Sequence, residues 1–226
     1  MNRANAEAAI RSVFGTYGIA SSTIPTGPSS HARGKVYELY VLTLVIQYLR
    51  RLGYIVSFSH PRGAVQFKSS PGLLKASDPH FAVSIPGSRP SFDIYVDVEF
   101  QTLGHSLGAS TGTPDLSGHH EIDIGVFTHG LNNVRPAHSD VALAVECKAV
   151  VSLPKAVIRG MLGLRRELSF LDFPCPSILA HTAGSSVTCV PANPASEVWL
   201  VTTDGNVSMY SNSPGAFGVT CRHEDP

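Results

Sequence analysis

The chain reads as an α/β protein: a central mixed β-sheet flanked by helices. Three observations predict this class. GKVYELYVLTLVIQYLRRLG (34–53) is a proline-free, mostly apolar stretch between glycines, with the length and period of a helix. SFDIYVDVEFQTL (91–103) alternates polar and apolar letters with a period of two, and DVALAVECKAV (140–150) is nearly continuously apolar, so both read as strands. A helical period then returns from Leu153 to Leu168, followed by two strand-like runs. A strand before such a helix and a strand after it pair in parallel through a right-handed crossover, which makes the sheet mixed.

Taken in order, residues 2–14 predict a short helix ending near Gly15, and SSTIPTGPSS (21–30) is a Pro/Gly/Ser-rich loop. The long helix follows, with Arg50 and Arg51 in its last turn, where cations suit the helix dipole. YIVSFSH (54–60) is a strand entered directly from that helix. In 91–103, Ile94, Val96, Val98 and Phe100 are expected on one face, and Tyr95, Asp97, Glu99 and Gln101 on the other. GHSLGASTGTPDLSGHH (104–120) is a long Gly/Ser/Thr-rich inserted loop, of the length that is usually mobile or functional. EIDIGVFTH (121–129) is the next strand, and 140–150 the most hydrophobic one. In the second helix Val157, Met161, Leu164 and Leu168 recur opposite Lys155, Arg159 and Arg166, which gives a basic outer stripe. SILAHT (177–182) and EVWLVTT (197–203) read as short strands, and the tail beyond Asp204 carries no signal.

Composition bounds the function classes. With 226 residues, 43% hydrophobic and 15% charged, the chain has a globular composition and fits one domain over 1–226. Within it, 1–30 is an N-terminal helix and loop. Seventeen basic and seventeen acidic residues cancel, so a polyanionic partner has to be held by a local patch. The four cysteines are scattered without a CxxC or Cys/His cluster, which argues for a reduced, cytoplasmic protein and against structural zinc. Every long apolar run is broken by charge before it could span a bilayer, so no membrane role is expected.

The residues with chemical potential lie in the apolar strand. Glu146 and Lys148, two apart in ALAVECKAV, project from one face, with Val145 and Cys147 on the other. An ordinary ExK pair is a surface salt bridge, but these flanks are apolar on both faces, and ionisable groups there are costly without a purpose. The same alternation places Glu121 and Asp123 together, opposite Ile122 and Ile124, and if the two strands are neighbours Asp123, Glu146 and Lys148 converge. Two carboxylates and a backbone carbonyl form an oxygen site for Mg²⁺ or Mn²⁺. Glu38 falls among the apolar positions of the first helix, roughly opposite Thr43, Gln47, Arg50 and Arg51, and a carboxylate on a core-facing stripe needs a partner.

This set, Glu38 on a helix, Asp123 in EIDIGVF and Glu146-Cys147-Lys148 in ALAVECKAV before an amphipathic helix, resembles the PD-(D/E)xK, or restriction-endonuclease-like, nuclease superfamily over about residues 33–203. The resemblance implies a restriction-endonuclease-like α/β core and Mg²⁺-dependent hydrolysis of phosphodiesters, mostly of DNA. It implies Asp123, Glu146 and the backbone carbonyl of Cys147 as metal contacts, Lys148 as the group that positions the water, and Glu38 as an assistant from the helix. The sequence departs from the pattern in that Ile122, not proline, precedes Asp123; the literal Pro114-Asp115 lies in the Gly/Ser-rich loop and is read as a decoy. His119 and His120, just before the Asp123 strand, and Glu121 are accessory candidates, and Asp97 and Glu99 could extend the acidic cluster. Lys155, Arg159 and Arg166 are candidates for gripping backbone phosphates. An RNA-cleaving nuclease of the same fold and a non-catalytic binding or scaffold module are the competing readings, and double-strand cutting would favour a homodimer or a partner subunit.

Overall fold

The computed structural model describes residues 1–60, 65–108 and 116–226. Its helices and strands run α1 (Arg3–Gly15), α2 (Ser30–Arg51), β1 (Ile55–Ser59), β2 (His80–Ser84), β3 (Pro90–Gln101), α3 (Leu103–Leu107), β4 (His119–Thr128) and β5 (Val141–Lys148). They continue with α4 (Lys155–Leu168), β6 (Phe170–Pro176), α5 (Ile178–Thr182), β7 (Cys189–Asn193), β8 (Glu197–Thr202), α6 (Asn212–Gly215) and β9 (Val219–His223). Among the described residues, seven strands form one sheet in the order β1-β2-β3-β4-β5-β8-β9, and β6 and β7 pair separately. Neighbours are antiparallel from β1 to β5, and β5-β8 and β8-β9 are parallel. The sheet is therefore mixed, with its parallel part after α4.

Two apolar cores lie on the sheet, one per face. The first packs α1 (Ile10, Phe14) and α2 (Val36, Leu42, Val45, Ile46, Leu49) onto Ile94, Ile124 and Val145. The second packs α4 (Met161, Leu168) and Leu153 onto Val98, Ile122 and Ala144. Each such side chain, fully removed from water, contributes about 1.5–3 kcal/mol. Helix α2 begins earlier than its glycine-bounded pattern suggests, because the Ser29 hydroxyl caps it by accepting from the Ala32 amide. Thr43, expected on its polar side, is buried and donates its hydroxyl to the Tyr40 carbonyl.

The expected face assignment along β3 fails at Asp97. Ile94 and Val96 belong to the first core, but Val98 and Phe100 belong to the second. Asp97 adopts φ 51°, a left-handed backbone conformation that shifts the alternation by one position. The partner strand follows: Ile124 lies in the first core and Ile122 in the second, although they are two apart. Glycine is required once nearby, since a Cβ at Gly125 would sit 2.3 Å from the Phe127 ring, which folds back over it.

Three other expectations change. SILAHT is the helix α5, not a strand: Ser177 accepts from the Ala180 amide, and that cap outweighs the apolar letters. The 104–120 segment is not all loop, as α3 and a 3₁₀ turn at Leu116–Gly118 occupy its ends. The tail is structured, with β9 laid in parallel on β8. Pro114 and Asp115 lie outside the described residues.

Candidate active site

The register of the central strands aligns three carboxylates. Pairing of Val96 with Ile124 and of Val98 with Ile122 leaves Asp97 opposite Asp123. One step beyond the Ile124–Val145 pair, Asp123 comes opposite Glu146. Asp97, Asp123 and Glu146 thus form a row across β3, β4 and β5 at the point where the alternation slips. Asp123 is fixed in that row by the Cys147 amide, which donates to its Oδ2 at 2.7 Å.

On the α2 side, the row meets Lys35 and Glu38. The Lys35 ammonium donates to Glu38 Oε2 at 2.7 Å and to both oxygens of Asp97 at 2.7 and 2.8 Å. All three side chains are largely buried. Burial, and then the Asp123 carboxylate, push Glu38 up to about 8 despite Lys35. Burial likewise raises Asp97, with Asp123 and Glu121 adding to it against the pull of Lys35. For Lys35 burial works downward, but the bonds to Asp97 and Glu38 outweigh it and the pKa is raised. A cleft of about 640 Å³ opens beside this cluster, bordered by His31, Lys35, Glu38, Phe67 and Lys68.

On the α4 side, Glu146 and Lys148 lie at the C-terminal end of β5. They form an ion pair and are half-buried, so the charges stand at the margin of the core and not inside it. Burial, and then Asp123, push Glu146 up to about 6, with Lys148 opposing. Lys148 is raised because its attraction to Glu146 and Asp123 exceeds the cost of burial, so it stays protonated and is no base at neutral pH. Both line a cleft of about 430 Å³ with His120, Glu121, Gly160, Gly163 and Glu167. Two glycines inside a helix cost about 1 kcal/mol each relative to alanine. A Cβ at Gly160 or Gly163 would meet nothing within 4 Å, so the bare α4 surface keeps the cleft wide.

Asp123 joins the two halves: it raises Glu38 on one side and Glu146 on the other. The sequence-derived set Glu38, Asp123, Glu146 and Lys148 is therefore brought to one row of strands, with Glu121 and His120 at the α4-side rim. Cys147 enters through its amide contact with Asp123, while its thiol is buried and raised by burial and then by Asp123. Asp97 belongs to the site, whereas Glu99 pairs with Arg135 at 2.8 Å. Lys155, Arg159 and Arg166 are exposed, and none of them lines the cleft at Glu146. Lys35 and Glu167 escape a motif-based reading. The i,i+3 spacing of Lys35 and Glu38 was the available signal for the first.

The donor set fits a divalent cation by its chemistry. The α4-side cleft carries the carboxylates of Glu121, Glu146 and Glu167 against the ammonium of Lys148, and clustered carboxylates that raise one another are relieved by a nearby dication. Among the described residues, no three His, Cys, Asp or Glu groups already stand close enough together to hold a metal ion. No helix of the described residues is long and apolar enough to cross a membrane. Comparison of the chain with protein-family models, curated proteins and solved structures returns no match.

Proposed function

We propose that the chain is a metal-dependent nuclease that hydrolyses phosphodiester bonds of nucleic acid, with DNA favoured through the resemblance of its Asp123 and Glu146-Cys147-Lys148 positions to the restriction-endonuclease-like superfamily. The observation that carries this reading is the row in which Asp123 meets Glu146 and the Glu146–Lys148 pair faces an open cleft. Asp123 and Glu146, with the Cys147 carbonyl, would hold Mg²⁺, or Mn²⁺ in its place. Such an ion supplies charge neutralisation at the phosphate and acidification of the attacking water.

The chain's own residues do the rest. Lys148, protonated, hydrogen-bonds the attacking water and offsets negative charge developing on the phosphoryl oxygens. The Cys147 amide holds Asp123 in one rotamer. Lys35 clamps Glu38 and Asp97, so the α2-side carboxylates do not repel Asp123 out of line. Gly160 and Gly163 leave room for a sugar-phosphate backbone to approach α4. Incubation with supercoiled, linear, single-stranded and branched DNA and with RNA, each with and without Mg²⁺, tests the reading. Mg²⁺-dependent cleavage of DNA is expected; absence of cleavage in every arm contradicts it.

A further inference from the structure

Away from the carboxylate row, α4 buries a second charge that no acid neutralises. Arg165 is only 5% exposed. One of its terminal nitrogens donates to the Ser196 carbonyl at 2.6 Å, and the other to the hydroxyls of Ser169 and Ser196. Its buried Nε has no hydrogen-bond partner. Among the described residues no carboxylate is ion-paired with it, and burial alone pulls its pKa down to about 10. The adjacent acid Glu197 is engaged by the hydroxyls of Tyr48 and Ser177. A buried guanidinium without a counter-ion, with a free donor, is costly unless an anion completes it.

Arg165 lines a pocket of about 290 Å³. The rest of the wall is mostly apolar, with Leu162, Phe170, Leu171 and Phe217, and Arg166 is the second cation there. Phe170, Leu171 and Phe217 are 51%, 65% and 41% exposed, an unusual amount of large apolar surface around one opening. The volume lies at the small end of ligand pockets, enough for one ring or a branched alkyl group.

We propose that this pocket binds a monocarboxylate with an apolar body, its carboxylate accepting from Arg165 and its ring or alkyl group packing on Leu162, Phe170 and Phe217. A carboxylate suits the site better than a phosphate because one free guanidinium donor offsets one charge. A second charge would remain unpaired against apolar walls. The ligand is either a free organic acid or the C-terminal residue of a polypeptide, and the proposal stands apart from the nuclease reading.

The test is thermal stability and calorimetric titration of the full chain with two acids, phenylacetate and an N-acetylated tripeptide ending in Phe. The controls are the corresponding amides and inorganic phosphate. At least one acid is expected to bind saturably, about tenfold or more tighter than its amide, since the lost bond is to a charged donor. Which acid binds identifies the source. Leu171→Trp, at an exposed position of the opening, should fold normally and weaken binding by at least about tenfold, as a steric block in a filled pocket does. Arg165→Lys should abolish the preference for acid over amide. No saturable binding by either acid, equal binding of acid and amide, equal binding of phosphate, or undiminished binding to Leu171→Trp would overturn the proposal.

Discussion

The two sides of the carboxylate row treat the same kind of charge differently. On the α2 side, Lys35 bridges Glu38 and Asp97 with three short bonds inside a largely buried cluster. On the α4 side, Lys148 pairs only with Glu146 and remains one-third exposed beside an open cleft. A buried ammonium bonded to two carboxylates holds an arrangement together; a half-exposed one bonded to a single carboxylate can be redirected to something in the cleft. The first lysine is thus a structural brace and the second a chemical tool. Asp123, which touches both electrostatically, is where the two meet.

Removing the shared residue should have the largest effect. Asp123→Asn keeps an oxygen for the Cys147 amide but loses the charge. It should lower cleavage by about 10²–10³-fold, comparable to deleting one electrostatic contact to a transition state. It should also abolish any rise in melting temperature produced by Mn²⁺, which a differential scan reads. An unchanged Mn²⁺ shift would detach Asp123 from the metal.

The lysine pair tests the contrast directly through stability. Lys35→Met leaves two buried carboxylates uncompensated and should cost about 3 kcal/mol in urea unfolding, as breaking a buried pair does. Lys148→Met, at a more exposed pair, should cost less than about 1 kcal/mol. Equal losses would erase the distinction between brace and tool.

A smaller effect is expected at Glu38. Its folded-state pKa of about 8 lies above the ordinary carboxylate value of 4.5, so between those two pH values the folded chain binds more protons than the unfolded one. Stability contributed by this group therefore falls as pH rises from about 4.5 through about 8. Glu38→Gln should raise the melting temperature most above pH 8 and lose that advantage below pH 4.5. The gain should be roughly 1–2 kcal/mol, because lost contact with Lys35 offsets part of the relief. A gain that grows towards low pH would reverse the assignment. The smallest effect belongs to Gly163→Ala, which should stabilise α4 by about 0.5–1 kcal/mol while slowing cleavage by narrowing the cleft. Faster cleavage in that variant would remove the glycine argument.

Much of this arrangement is legible in the letters, for identifiable reasons. Helix α2, strands β3 to β5, helix α4 and strand β8 carry long periods or continuous apolar runs, and those periods are set by burial. The Glu146–Lys148 spacing works because alternation is regular along β5. It misleads along β3, where the left-handed turn of Asp97 reassigns Val98 and Phe100 to the other core, and no letter announces that turn. Lys35 hides because its second partner, Asp97, is distant in sequence. Arg165 and Arg166 are adjacent and alike, yet one is buried and the other exposed, a difference set by Ser169 and Ser196. Strand β9 owes its existence to the parallel ladder on β8, a tertiary contact that VTCRH alone does not specify.

The most direct measurement is cleavage of labelled DNA in Mg²⁺ by the wild-type chain and by Lys148→Ala, with circular dichroism to compare folding. The account predicts Mg²⁺-dependent cleavage by the wild type and a normally folded variant whose rate has dropped by about 10²–10³-fold. Full Mg²⁺-dependent cleavage by Lys148→Ala would contradict it.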